Sequence, residues 1–153
     1  MLATPHILIG AAIGKAVPEN FWAVVVLGIL SHYLVDALPH FDQAVEGKPK
    51  IKQYIIAALD IVVGVLALYL ILNSKASNLN LATPIILGAA AALFPDFLDN
   101  LPVFSDWLHK NKFFNQEYWF HNKIQWASGK KWMFWGILTQ ILVVGICVWY
   151  LLK

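Results

Sequence analysis

From Tyr54 to Leu72 the chain is apolar except for Asp60. A helix rises about 1.5 Å per residue, so a run of this length can cross the hydrocarbon core of a bilayer, which takes roughly 20 apolar residues. Other segments share the pattern. Phe21 to Leu38 is interrupted only by Ser31, His32 and Asp36, and Trp132 to Leu152 only by Thr139 and Gln140. Leu81 to Phe94 is apolar but shorter, with Pro95 expected to disturb its end. Pro5 to Val17 is apolar too, yet it reaches only about two-thirds of the way across. It reads as a short helix packed among the others, with Thr4 as N-cap and Pro5 at the first helical position. Lipid leaves no water to satisfy backbone groups, so helices are the expected spanning form. The fold class is therefore all-α: a polytopic membrane bundle of about four full spans plus one short N-terminal helix, in a single domain covering residues 1–153.

Composition agrees. Hydrophobic residues make up 59% and charged residues 13%, where a soluble domain has roughly 45–50% and about 25%. All 11 basic residues are lysines and the net charge is +2. A nucleic-acid reader needs a basic, usually arginine-bearing stripe, so no nucleic-acid partner is expected. Cys147 lies in an apolar run and has no partner for an internal disulfide. The first residues carry no positive stretch, so a cleaved signal peptide is not expected.

Phe104 to Gly129 has a different character. Trp107, Phe113, Phe114, Tyr118, Trp119, Phe120 and Trp126 alternate with Lys110, Lys112, His121 and Lys123. Such a mixture suits the membrane–water interface, so one or two helices lying on the bilayer are expected. The lysines also orient the chain. Lys48, Lys50, Lys52, Lys110, Lys112, Lys123, Lys130 and Lys131 fall on the side reached at Leu38, against Lys15, Lys75 and Lys153 on the other. By the positive-inside rule the first side is cytoplasmic, with the N-terminus there and Lys153 opposite.

Two stretches resemble each other. Leu34-Val35-Asp36-Ala37-Leu38-Pro39 parallels Phe97-Leu98-Asp99-Asn100-Leu101-Pro102, and Gly64 to Leu70 parallels Gly145 to Leu151. They suggest repeats over 1–72 and 81–152, related by rotation about the membrane normal so that Asp36 overlays Asp99 and Gly64 overlays Gly145. The plainer alternative is that both copies use Asp, Leu and Pro to end a helix.

The chemistry gathers at the cytoplasmic ends. His32 and Asp36 are spaced i, i+4 and share a helix face. Asp96 and Asp99 share another, and Asp60 lies at a depth where it could meet His32. His6 and His121 can complete the ring, with Gln125 at helical spacing from His121. Ionisable groups in a membrane are costly and tend to mark function. Imidazoles with carboxylates are ligands for Zn²⁺, Mn²⁺ or Fe²⁺. Two ions could together activate water and hold a phosphate ester. Each residue also has a structural alternative: an intramembrane His32–Asp36 pair, a packing hydrogen bond for Asp60, a helix-ending role for Asp96 and Asp99, an interfacial one for His6. His40 and Asp42 are balanced between the two. His109, Asp106 and Glu117 read as solvated.

Thr4-Pro5-His6, Ser31-His32-Tyr33-Leu34-Val35-Asp36 with Pro39-His40, and Pro95-Asp96-Phe97-Leu98-Asp99 together resemble the small bacterial integral-membrane proteins known as membrane-bound metal-dependent hydrolases. That family is distantly similar to zinc-dependent phospholipase C, and His32-x-x-x-Asp36 matches its ligand-pair spacing. The chain departs from the family in lacking a His-Arg-Gly-x-Thr-His stretch. The resemblance implies a bacterial or archaeal cytoplasmic-membrane hydrolase acting on a phosphoester or lipid headgroup. It would bind one or two divalent transition metal ions, zinc first, with manganese or iron as alternatives. The expected ligands are His6, His32, Asp36, Asp96, Asp99 and His121, with Asp60 as general base. The alternative is a non-enzymatic membrane protein, a metal or proton conductor or a scaffold, that keeps a buried His/Asp cluster.

Overall fold

A computed structural model describes residues 1–41, 51–74, 79–100, 104–126 and 130–153. Among them the regular structure is entirely helical: α1 (Ala3–Ala16), α2 (Phe21–Asp36), α3 (Ile51–Leu72), α4 (Leu79–Asn100), α5 (Phe104–Leu108), α6 (Lys112–Ile124) and α7 (Met133–Leu152), with a 3₁₀ turn at Lys130–Trp132. Asp42, Lys48, Lys50 and Lys75 lie outside the described residues.

Three helices are long and apolar enough to span a bilayer: α3, α4 from Leu81, and α7. The expected fourth span falls short. Helix α2 has 16 residues, about 24 Å of rise. Its length is set at both ends. Asn20 caps the start by accepting from Ala23 N at 3.0 Å, and the helix closes at Asp36 with Ala37 as C-cap. Helix α4 runs the other way from expectation: it continues through Pro84 and Pro95 to Asn100. A proline costs one hydrogen bond and crowds the carbonyl four residues back, here Ala91 beside Pro95, but dense packing on both flanks holds the helix together.

That packing centres on the shortest of the bundle helices. Helix α1, with 14 residues, lies against α2, α3, α4 and α7. Small residues make this possible. A Cβ at Gly10 would meet the carbonyl oxygen of Gly88 and one at Gly14 that of Pro84, while Gly28 of α2 lies against Ala91 and the carbonyl of Gly88. Close backbone approach through small residues is how helices associate where lipid offers no hydrophobic drive. The pairings fix direction: α1 is antiparallel to α4, and α2 runs parallel to it. Asp60 and Gly64 of α3 lie beside Thr4, and Lys15 donates to the carbonyls of Tyr150 and Leu151 at 3.1 and 2.9 Å. Helices α3 and α7 therefore run parallel to α1, and the two chain ends lie at opposite ends of the bundle.

Away from the polar end the core is apolar: Leu8, Ala11, Leu68, Ile71, Ile85, Ala89, Cys147 and Leu151 are buried together. The outer faces are apolar as well. Trp22, Val26, Leu30 and Leu34 form an exposed i, i+4 stripe on α2, and α3 and α7 expose Val62, Leu66, Ile141 and Ile146 among others. A helix hydrophobic on every side belongs inside protein or lipid.

The start of α1 differs in detail from expectation. Its N-cap is Leu2, not Thr4. Thr4 N donates to Asp60 Oδ2 at 3.0 Å, and the Thr4 hydroxyl donates to Asp60 Oδ1 at 2.8 Å. Gln140 Oε1 accepts from Leu2 N at 3.3 Å. Free N–H groups of a first helical turn need acceptors, and here neighbouring helices supply them.

Candidate metal centre

Helices α1, α2, α4 and α6 each bring polar side chains to one end of the bundle. His6, His32, Asp36 and His40 have no accessible surface, and His121 retains 3%. Asp36 stands at the centre. Its Oδ1 lies 3.1 Å from His6 Nε2 and accepts from the α-amino group of Met1 at 2.6 Å. Its Oδ2 lies 2.9 Å from His121 Nε2 and 3.5 Å from His32 Nε2, and accepts from Gln125 Nε2 at 2.9 Å. Helices α1 and α6 thus approach the same carboxylate from its two oxygens.

The imidazole protons can be placed from their partners. His32 Nδ1 is 2.8 Å from the carbonyl oxygen of Ala92, which can only accept. His121 Nδ1 is 2.6 Å from Asp99 Oδ2. Both rings therefore carry hydrogen on Nδ1 and turn Nε2 toward Asp36. The two Nε2 atoms are 3.0 Å apart. With both rings neutral, two lone pairs and a carboxylate oxygen would face one another out of water. The Gln125 amide, with Nε2 2.9 Å from His121 Nε2, supplies one donor; a proton or a cation between the two imidazole Nε2 atoms relieves the lone-pair contact that is left. In the absence of metal the proton belongs on His121: burial opposes its charge, but hydrogen bonds to Asp36 and Asp99 outweigh burial and push its pKa up to about 10.

His6 sharpens the point. It is fully buried and stacks on His32 with centroids 4.1 Å apart, yet neither of its ring nitrogens makes an aligned hydrogen bond. Its 3.1 Å approach to Asp36 is a contact without hydrogen-bond geometry. Ligand atoms at about 2.0–2.1 Å from a tetrahedral zinc lie about 3.3 Å from one another. The separations here run from 2.9 Å through 3.0, 3.1 and 3.5 Å to 3.9 Å for His32 Nε2 to Asp96 Oδ1. His6–His32–Asp36 and His32–Asp96–His121 each offer donor atoms within 4.8 Å, as does Asp99–Glu117–His121. These buried groups could hold a metal ion. Asp96 keeps 24% of its side chain accessible.

Of the residues the sequence marks as candidates, His6, His32, Asp36, Asp96 and His121 converge. Asp99 joins them one step out, behind His121 rather than beside Asp36. Asp60 stands apart: both its carboxylate oxygens serve Thr4, and it belongs to none of the donor sets among the described residues. Its depth matched that of His32, but α1 lies on α3 and takes the carboxylate for its own N-terminus.

Glu117 and His109, solvated on the sequence reading, take part, together with Tyr33. Glu117 Oε1 accepts from the Tyr33 hydroxyl at 2.6 Å, and its Oε2 is buried. Burial raises the Glu117 carboxyl above its ordinary range. His109 Nε2 lies 3.3 Å from Asp99 Oδ1. One signal was available: Glu117, His121 and Gln125 are spaced i, i+4, i+8, a single face of α6.

Comparison with protein-family models, with curated proteins and with solved structures finds no match to this chain.

Proposed function

We propose that the protein is a membrane-embedded hydrolase that uses a divalent transition metal at the end of the bundle where α1, α2, α4 and α6 meet, and that its substrate is a phosphoester such as a lipid headgroup. The observation that carries this reading is the pair of Nε2 atoms of His32 and His121, 3.0 Å apart and both turned on Asp36, with the nitrogens of His6 left without aligned partners beside them. In the reading proposed here His6, His32, His121 and Asp36 hold the ion. Asp96 completes the set at its open side. Zinc suits three imidazoles and carboxylates, and manganese or iron would also be accepted.

When bound, an ion of this kind would supply Lewis-acid activation of a phosphoryl oxygen and of water. The protein's own groups do the remaining work. Asp99 accepts the Nδ1 proton of His121 and fixes which nitrogen faces the ion, as second-layer carboxylates do for ligating histidines. The Ala92 carbonyl does the same for His32. Glu117, held by Tyr33 next to Asp99, is a carboxyl group outside the ligand set and replaces Asp60 as candidate proton acceptor. Asp60 positions His6 by holding the first turn of α1.

A conductor would need polar groups to continue through the bundle. Here the half beyond the cluster is filled by Leu8, Ala11, Leu68 and Ile85, with α1 and α4 in backbone contact at Gly10 and Gly88. That closure favours a site over a path.

The test is stoichiometric. Protein purified without chelator should carry transition metal, and added Zn²⁺ or Mn²⁺ should raise the Tm of stripped protein, because a ligand that binds only the folded state stabilises it. His6→Ala, His32→Ala and His121→Ala should each lower bound metal, while Asp106→Asn should not. A metal-free preparation whose Tm ignores added metal would leave the cluster as a protonated structural network.

A further inference from the structure

Helix α6 is amphipathic in an unusual sense. Its inward face is polar: Glu117 and His121, with Gln125 just past its end, point at the cluster. Its outward face carries the bulky rings. Phe113 is 70% and Trp119 61% exposed, and Phe120 is exposed as well. Lys112, Gln116, Trp119 and Lys123 follow one another at i, i+4, i+7 and i+11, a single outward stripe. Lys123 Nζ sits 4.6 Å over the Trp119 ring, and the one acid of α6, Glu117, is turned away from this face. At the α5–α6 corner Trp107, Leu108, Lys110, Asn111 and Phe114 line a cavity of about 310 Å³, with the acid Asp106 exposed nearby.

Rings this exposed are costly against water, and lysines this numerous are costly against hydrocarbon. The headgroup layer of a bilayer accepts both, since aromatic rings settle at that depth and lysine stems reach outward from it. The apolar stripe of α2 runs toward this end, through Leu30 and Leu34, so the surface continues a belt that already suits lipid. We infer that the outer face of α6, with the α5–α6 corner, is a binding surface for anionic phospholipid headgroups. The lysines meet phosphate and the rings enter the boundary between headgroups and chains. The same helix then brings His121 and Glu117 to the cluster from behind a lipid-bound face. This inference does not depend on metal binding or hydrolysis.

The probe is a fluorophore in the centre of the stripe. Gln116→Cys is labelled with an environment-sensitive dye (Cys147 is buried and does not compete), and the full chain is reconstituted into vesicles of phosphatidylcholine with increasing phosphatidylglycerol. Emission should shift to the blue as phosphatidylglycerol rises and return with added salt, because exposed charges are screened. Lysine near an anionic surface contributes about fivefold to partition. Lys112→Glu with Lys123→Glu should therefore move the lipid titration midpoint by about 25-fold or more. These substitutions lie on the outer face, and an unchanged Tm in detergent certifies the fold. Emission independent of lipid charge, or unmoved by the double charge reversal in a folded variant, overturns the inference. So does a blue shift that depends on protein concentration instead of lipid composition, which would identify a second copy as the occupant.

Discussion

Thr4 gives both its backbone N–H and its hydroxyl to the carboxylate of Asp60, one to each oxygen, at 3.0 and 2.8 Å. A residue of α3 thereby caps the helix that carries His6 two positions on. The relationship turns an intramembrane acid from a chemical candidate into a fastening between helices.

Asp60→Ala should lower stability by about 1–2 kcal/mol, the cost of losing a helix cap, read as a drop in Tm of several degrees. Asp60→Asn, which keeps one carbonyl oxygen, should lose less. A general base would behave in the opposite way, with Asn abolishing turnover while Tm stayed constant. Bound metal should fall modestly in the Ala variant as His6 loosens.

Asp99 and Asp36 hold the same imidazole from its two nitrogens, at 2.6 and 2.9 Å. Asp99→Asn should leave the ligand atoms in place but weaken the preference for hydrogen on Nδ1. Second-layer substitutions of this kind cost about 10- to 100-fold in metal affinity, measured by competition with a chelating dye. Asp36→Asn should remove binding altogether. Equal losses in the two variants would mean that Asp99 touches the ion directly.

The metal-free protein has its own pH signature. Against burial, hydrogen bonds to Asp36 and Asp99 raise His121 from the ordinary imidazole value of 6.5 to about 10 in the folded state. Its stabilisation is therefore fully present below pH 6.5 and disappears as pH climbs through about 10. Over that window stability should fall by at most about 1.4 kcal/mol per pH unit. Thermal melts in chelator should show this slope in the wild type and lose it in His121→Gln. With metal present the dependence should invert at lower pH, because coordination displaces the proton and strengthens as pH rises.

Gly10 and Gly145 offer a contrast in packing. An added methyl at Gly10 would collide with the backbone of Gly88, which cannot swing aside, whereas Gly145 has open space around it. Gly10→Ala should cost about 1–3 kcal/mol from overpacking, while Gly145→Ala should be neutral or slightly stabilising because alanine favours the helix. Melting of the two variants side by side checks this. The contrast also bears on the internal resemblance: Gly64, the sequence partner of Gly145, touches Ile7 and Thr4, so the matched glycines have different surroundings.

The chain's class follows from its amino-acid pattern. Apolar runs near the thickness of a bilayer could form only helices, and the sparse ionisable residues within them stood out because burying each one is expensive. Periodicity linked His32 to Asp36 and placed both near the end of their helix, so the end at which the polar groups gather was legible. Helix lengths were less so: a cap at Asn20 and a stop at Asp36 shortened α2, and α4 passed through Pro95, because termini depend on local hydrogen bonds and on the support of neighbours. Tertiary structure alone decided the partners. No spacing along the chain says that α1 and α6 meet the two oxygens of one carboxylate, or that Asp60 faces Thr4 while Asp99 stands behind His121. Those assignments come from backbone approach at Gly10, Gly14 and Gly88, which fixes where each helix end lies. A difference of one helix face decides whether an acid holds a cation, orients an imidazole or caps a neighbour.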